Sequence, residues 1–306
     1  MAEETDDSDR GDSETADSGR DGDRIAKFIA RAGICSRRDA EKLVAEGRVV
    51  MDGKIVASPA VKVMPHNVVV VDGKPLPAPE GARLWRYHKP SGLVTTHKDE
   101  KDRPTVFANL PKSLGRVVSV GRLDYNSEGL LLLTNDGQIA RMLEMPSSGW
   151  IRKYRARLFG KVTQADLEKL ATGATIAGVT YGPILADIER TKGMYSWVQV
   201  SLKEGKNREV KRVMESLGLK VARLIRISYG PFQLGQLAEG AVEEIPAKLW
   251  RPSLGITAKK QVEADHDKPW EKPPSAKSKG GKKAAGTVEK SSGAKAPAKK
   301  GKGWTP

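Results

Sequence analysis

A carboxylate and a guanidinium stand two residues apart in GRLDYNSEGLLLLTNDG (121–137), just ahead of the most apolar run of a polar chain. A carboxylate can attack carbon, or stabilise positive character there, and then depart, so Asp124 is a candidate nucleophile. Arg122 and Asp124 also fit a turn former with a surface ion pair. EGKNREVKRVMESLG (204–218) holds a second cluster. There Val210, Val213, Met214 and Leu217 form one helical stripe, while Asn207, Arg208, Lys211 and Arg212 line another flank, as at a phosphate-binding helix start. Walker-type phosphate loops, HExxH and GxSxG are missing from the sequence. His66, His88, His97 and His266 lack ligand spacing and Cys35 is the sole cysteine, so neither a metal nor an internal disulfide is expected.

The elements that must hold these groups read as mixed α and β. RLWRYHK, RVVSV, GLLLLT, KYRARLFG, GPILADIERT, YSWVQVSL and VARLIRISYG have strand character. QIARMLEM, TQADLEKLA and KNREVKRVMESLG read as helices, with IPAKLW a further candidate. Asn135-Asp136-Gly137 reads as a turn. Strands outnumber helices, which predicts an α+β domain: a mixed, largely antiparallel sheet with flanking helices over 82–255. Leu130 to Leu133 would form a strand buried on both faces.

A smaller unit precedes it. RIAKFIARAG (24–33) places Ile25, Phe28, Ile29 and Ala32 at helical spacing, and SRRDAEKLVAEG (36–47) opens with Ser36 and Asp39 as a capping pair. VVMDGKIV and VVVVDGKPL then read as strands broken at Asp-Gly turns. Lys27 and Arg31 lie a turn apart on the first helix, and Arg37, Arg38 and Lys42 share a flank of the second. These cations suit an RNA-backbone clamp or ordinary solvated helix faces.

The expected organisation is an acidic disordered tail (1–22), the unit at 23–75, a stiff linker (76–81), the larger domain (82–255) and a Lys/Ala/Gly-rich disordered tail (256–306). The formal charge is +15. The N-terminal tail carries −7 and the C-terminal tail +8, leaving +14 on the segments expected to fold. A basic body favours a polyanion partner, nucleic acid ahead of a membrane surface. No signal peptide or bilayer-length apolar run is evident, so the expected compartment is the cytoplasm.

Several motifs in fixed order resemble one family. GRLDYNSEGLLLLTNDG, the stretch around Lys153-Tyr154, and EGKNREVKRVMESLG followed by RLIRISYG resemble the motifs of bacterial ribosomal-RNA pseudouridine synthases of the RsuA/RluB type, with Ser127 where Thr is common. Residues 24–75 are similar to the S4-type RNA-binding domain that precedes the catalytic domain in that family. The resemblance spans 24–255. It implies that Asp124 is the nucleophile of uridine isomerisation, in which the C1′–N1 bond breaks, the uracil turns and C5 rejoins C1′, with no cofactor. It makes Lys211 the charge partner of Asp124, at a position usually held by Arg. Tyr154 would stack on the target base; the alternative is a strand tyrosine packing on the core. Arg122 would reach into the RNA as the uridine is extruded. The further RNA-binding set is Lys27, Arg31, Arg37, Arg38, Lys42, Asn207, Arg208 and Arg212.

The lysine-rich C-terminal tail favours the large-subunit (RluB-like) branch and a 23S rRNA uridine over the small-subunit 16S (RsuA-like) branch. Expected partners are ribosomal RNA and assembling ribosomal subunits, bound by a monomer. The competing class is a noncatalytic S4-type RNA-binding or assembly factor, which would not need Asp124. A tyrosyl-tRNA-synthetase-like enzyme also carries an S4 module, but no nucleotide-binding signature accompanies it here.

Overall fold

The computed structural model describes residues 22–77 and 80–256. The expected acidic tail up to residue 21, linker residues 78–79 and the lysine-rich tail from 257, with His266, lie outside the described residues.

The smaller unit begins with β1 (Asp23–Arg24), α1 (Ile25–Arg31) and α2 (Arg37–Ala45). The side chain of Ser36 caps α2, accepting from the Asp39 N–H at 3.1 Å. β2 (Val49–Met51) and β3 (Lys54–Ile55) form one hairpin; β4 (Lys62–Val63) pairs with β1; β5 (Val69–Val71) and β6 (Lys74–Pro75) form a second hairpin. Both hairpins turn on Asp-Gly with positive φ at each residue (Asp52 and Gly53, Asp72 and Gly73), as two-residue turns between right-twisted strands require. Ile25, Ile29, Ala40, Val44, Val49, Val63, Val69 and Val71 form this unit's own core.

The larger unit opens with β7 (Leu84–Lys89), β8 (Val118–Val120) and β9 (Ser127–Thr134). Then come α3 (Gly137–Glu144), β10 (Arg152–Phe159), α4 (Gln164–Glu168), β11 (Ala174–Ile176) and β12 (Val179–Tyr181). β13 (Ile184–Lys192), β14 (Tyr195–Leu202), α5 (Glu209–Ser216), β15 (Lys220–Tyr229), β16 (Phe232–Gln233), β17 (Val242–Ile245) and α6 (Ala247–Trp250) complete it. The main sheet runs β13-β14-β10-β15-β9-β7-β17, with β8 on β9 and β16 on β15. β9 and β15 are parallel; the other pairs are antiparallel, the mixed, largely antiparallel sheet expected.

β9 is buried along its whole length. Leu131 and Leu133 pack with Tyr154, Val198 and Val213 on one face, while Leu130 and Leu132 pack with Leu143, Phe232 and Trp250 on the other. Alternation within a single strand thus feeds two cores. Gly129 is fixed by close approach: its φ is 99°, and an added Cβ would stand 2.3 Å from the carbonyl oxygen of Arg226 on β15.

Some boundaries differ from expectation. Asn135-Asp136-Gly137 is a helix start rather than a plain turn, because the Asp136 side chain accepts from the Gln138 N–H at 2.7 Å and caps α3. α5 spans 209–216 rather than 206–218, with Arg208 at its N-cap in the left-handed region. VEEI (242–245) forms edge strand β17, and α6 is the short piece at 247–250. The β11–β12 hairpin has no Asn-Gly or Asp-Gly signal, since its positive-φ pair is Ala177-Gly178.

Candidate active site

Asp124 lies in the loop between β8 and β9, and bonds from several elements fix that loop. Gly121 N–H donates to Glu144 Oε1 at the end of α3. Thr95 grips Leu123 twice, donating to its carbonyl at 2.9 Å and accepting from its N–H at 3.4 Å. Tyr125 O accepts from Gly92 N–H at 2.8 Å, and Ser127 N–H closes a turn on Asp124 O at 3.0 Å. Lys89, at the end of β7, is fully buried and donates from Nζ to the carbonyls of Pro90 (2.9 Å), Ser127 (2.9 Å) and Tyr125 (3.4 Å). Burial lowers its pKa to about 8, against an opposing pull from the carboxylates of Glu128 and Asp124. Sequence reasoning passed over Lys89, Gly92 and Thr95; the only available signal was a lysine at the end of an otherwise core-forming strand.

α5 delivers the cation. Val210, Val213 and Met214 anchor it to the core, and Lys211 lies on that buried side rather than on the exposed basic flank. Its Nζ stands 3.2 Å from Asp124 Oδ2, with the lysine side chain 11% and the aspartate side chain 33% exposed. The carboxylate is therefore ion-paired to a shielded lysine while a third of its own side chain stays open to solvent.

Asp124 shares a cavity of about 290 Å³ with Tyr154, Arg122, Arg152, Arg226 and Glu209. Tyr154 comes from β10, next to a register shift between Lys153 and Tyr154, and is mostly buried in the wall. Arg152 is committed to structure, donating to the Lys203 carbonyl and to Tyr229 Oη at 3.0 Å; Tyr229 in turn donates to Leu143 O at 2.8 Å. Glu209 accepts from Lys206 N–H at 2.9 Å through Oε2, and burial raises its pKa. Its Oε1 and Nη2 of Arg226 are the buried side-chain polar atoms without a hydrogen-bond partner among the described residues.

The expected RNA-binding residues divide. Arg122 and Arg208 are exposed at the cavity, with Arg208 3.8 Å from Glu215; Asn207 and Arg212 are exposed beside them. Arg37, Arg38 and Lys42 are exposed on α2. Lys27 and Arg31 differ: Asp23 binds both, at 2.7 and 2.8 Å, and Arg31 also lies 3.6 Å from Asp136. They join β1, α1 and the start of α3 instead of forming an uncommitted cationic face. Among the described residues no group of three or more His, Cys, Asp or Glu is placed to hold a metal, and no helix is long and apolar enough to cross a membrane.

The family model for RNA pseudouridylate synthase matches residues 83–216, and that for the S4 domain matches residues 23–74. An RNA pseudouridine synthase of Rickettsia felis is 48% identical over 74% of this chain and 98% of its own. Ribosomal large subunit pseudouridine synthase B of Pasteurella multocida is 38% identical over 81% of this chain and 75% of its own. Among solved structures, a pseudouridylate synthase superposes with a TM-score of 0.54 and 28% identity, covering 75% of this chain and 99% of the other.

Proposed function

Because the chain belongs to the RNA pseudouridylate synthase family and is a pseudouridine synthase, we propose that it isomerises one uridine of the large-subunit (23S) ribosomal RNA, acting as a cytoplasmic monomer. Ribosomal RNA as the substrate class is supported by the S4 domain and by the ribosomal synthases among its relatives. The large subunit is favoured over the small by the names of those relatives and by the lysine-rich C-terminal tail.

One observation carries the mechanism: Asp124 is ion-paired to Lys211 at 3.2 Å and opens into a cavity that Tyr154 walls. In this reading Asp124 is the nucleophile. Lys211 offsets the cost of desolvating that carboxylate as the incoming base displaces water. Tyr154 provides a flat surface for the extruded uracil, and Arg122 contacts the RNA at the cavity mouth. Extrusion costs a few kcal/mol of unstacking, which phosphate contacts from the S4 domain and the basic body offset. The exposed cations of α2 (Arg37, Arg38 and Lys42) and of the α5 region (Arg208 and Arg212), with the neutral amide of Asn207 beside them, supply such contacts.

The test is to express Asp124→Asn in a strain lacking the enzyme and map pseudouridine across both large rRNAs by carbodiimide-dependent reverse-transcription stops. We expect the mark in 23S rRNA with wild type and none with Asp124→Asn. A mark in 16S rRNA would move the target to the small subunit. Undiminished modification by Asp124→Asn would remove Asp124 from the chemistry.

A further inference from the structure

Arg226 lines the same cavity as Asp124 and Tyr154 and has no part in the roles given to them or to Lys211. It sits on β15, only 3% exposed. Its Nε donates to Leu130 O at 2.7 Å, and its guanidinium carbon lies 5.2 Å from the centre of the Tyr229 ring. Nη2 is buried without a hydrogen-bond partner among the described residues, on a side chain that lines the same cavity as Asp124. A buried unsatisfied donor costs about 1–3 kcal/mol, and more when charged. A fold that retains one beside an open cavity has an acceptor available once that cavity fills.

We propose that Arg226 is a catalytic residue that donates from Nη2 to a carbonyl oxygen of the target uracil and stabilises the negative charge the base acquires during isomerisation. This rests on the reading that the cavity receives the target uridine. When the C1′–N1 bond breaks, its electron pair stays with N1 and spreads onto O2 and O4. If Asp124 instead adds to C6, the pair displaced from the C5–C6 double bond moves to O4. Both routes load charge onto the exocyclic oxygens. Once C5 bonds to C1′ and the bond from Asp124 to carbon breaks, returning its electron pair to the carboxylate, C5 loses its proton and N1 takes one up, so the base ends neutral and nothing is oxidised or reduced.

The geometry of the turn adds a second reason. Rotating uracil about its N3–C6 axis exchanges N1 with C5, and O2 with O4. A donor held at one carbonyl position therefore meets an oxygen before and after the turn. A guanidinium locked by Leu130 O and set against Tyr229 is such a fixed donor, and preorganised donors act where charge develops in the transition state.

The test measures single-turnover pseudouridine formation and RNA affinity for the full chain, with uridine or 4-thiouridine at the target of an rRNA fragment. Wild type, Arg226→Met and Arg226→Lys are compared. Arg226→Met should lose about 10²- to 10³-fold in rate, the usual loss for one charge-stabilising donor. Its RNA affinity should stay within about threefold of wild type, because an interaction made only in the transition state has been removed. Arg226→Lys should recover part of the rate. Sulfur is a weak acceptor, so 4-thiouridine should slow wild type, slow Arg226→Lys less, and add little further loss in Arg226→Met, the signature of two changes to one contact. A merely structural role would not produce that coupling. If Arg226→Met fails to fold, the sulfur effect in Arg226→Lys against wild type decides. A wild-type rate in Arg226→Met, or an equal sulfur effect in wild type and Arg226→Lys, overturns the assignment. Absence of wild-type activity on every rRNA overturns the substrate reading beneath it.

Discussion

Replacing Lys211 by Met isolates the Asp124 ion pair, since it keeps the length of the side chain and removes its charge. At the observed 3.2 Å separation the Coulomb attraction is about 5 kcal/mol for an effective dielectric of ~20, and about 1 kcal/mol in bulk water. Lys211 is mostly shielded while a third of the Asp124 side chain is exposed, so the pair lies between these limits. A base in the cavity removes water from the carboxylate and moves the pair toward the interior value. Breaking a buried pair by deleting one partner costs about 3–5 kcal/mol, because the other charge is left uncompensated. Taking about 3 kcal/mol as realised in the transition state, turnover should fall by roughly two orders of magnitude. Lys211 itself does not line the cavity, so RNA affinity should change little. Single-turnover kinetics with parallel filter binding separate the two effects. Lys211→Arg should stay within about tenfold of wild type, as it restores the charge with a different donor geometry. A Lys211→Met enzyme turning over at the wild-type rate would refute the pairing.

Lys89 gives the site a pH dependence whose two parts have opposite signs. Its pKa of about 8 lies below the ordinary 10.5, so between those values the unfolded chain binds more of this proton and the group adds stability as pH rises. Over the same interval the cation beneath the Asp124 loop is lost, so kcat should decline above pH 8 while thermal stability does not. A rate flat to pH 10 in Lys89-containing enzyme would contradict that placement. Gly129→Ala should destabilise by about 3 kcal/mol or more, because β15 backbone occupies the space of the new Cβ and the φ is unfavourable for L-residues. The Tm should fall by about 6–12 °C for a domain of this size, and an unchanged Tm would mean that the two strands part at little cost.

The sequence was informative wherever local chemistry decides the structure. The leucines of β9 alternate between two cores as a doubly buried strand must, and both Asp-Gly hairpins of the small unit follow from their turn residues. Asp136 was legible as a breaker but not as a cap, because the same Asx side chain serves both roles and only the position of the following helix distinguishes them. Lys211 is a clearer limit. Helical spacing put it with Arg208 and Arg212, yet it turns toward the core, where its partner lies 87 positions earlier in the chain. Lys27 and Arg31 err in the other direction. They read as an open cationic face because Asp23, which binds both, lies outside the helix. Lys89, Thr95 and Gly92 act on the loop through carbonyls and N–H groups, contacts that no side-chain pattern announces.

The placement of these cations explains why so apolar a strand carries the Asp124 loop. β9 supplies rigidity, but its pairing ends beside the loop, where backbone carbonyls need partners from outside the sheet. Lys89 takes Ser127 O at that end and adds a longer contact to Tyr125 O, which Gly92 N–H already holds. One turn of sheet further in, Arg226 takes Leu130 O. Between them Arg223 reaches Glu128 through several contacts, the shortest at 2.6 Å. Three cations, one from β7 and two from β15, thus grip consecutive parts of a single strand. Substitution at any of them should act first on where Asp124 points. A loss of rate with unchanged RNA affinity is therefore insufficient to make one of them catalytic. What singles out Arg226 is its donor left over for the base, which is why coupling to the thio-substituted base, rather than the size of the rate loss, is the decisive measurement.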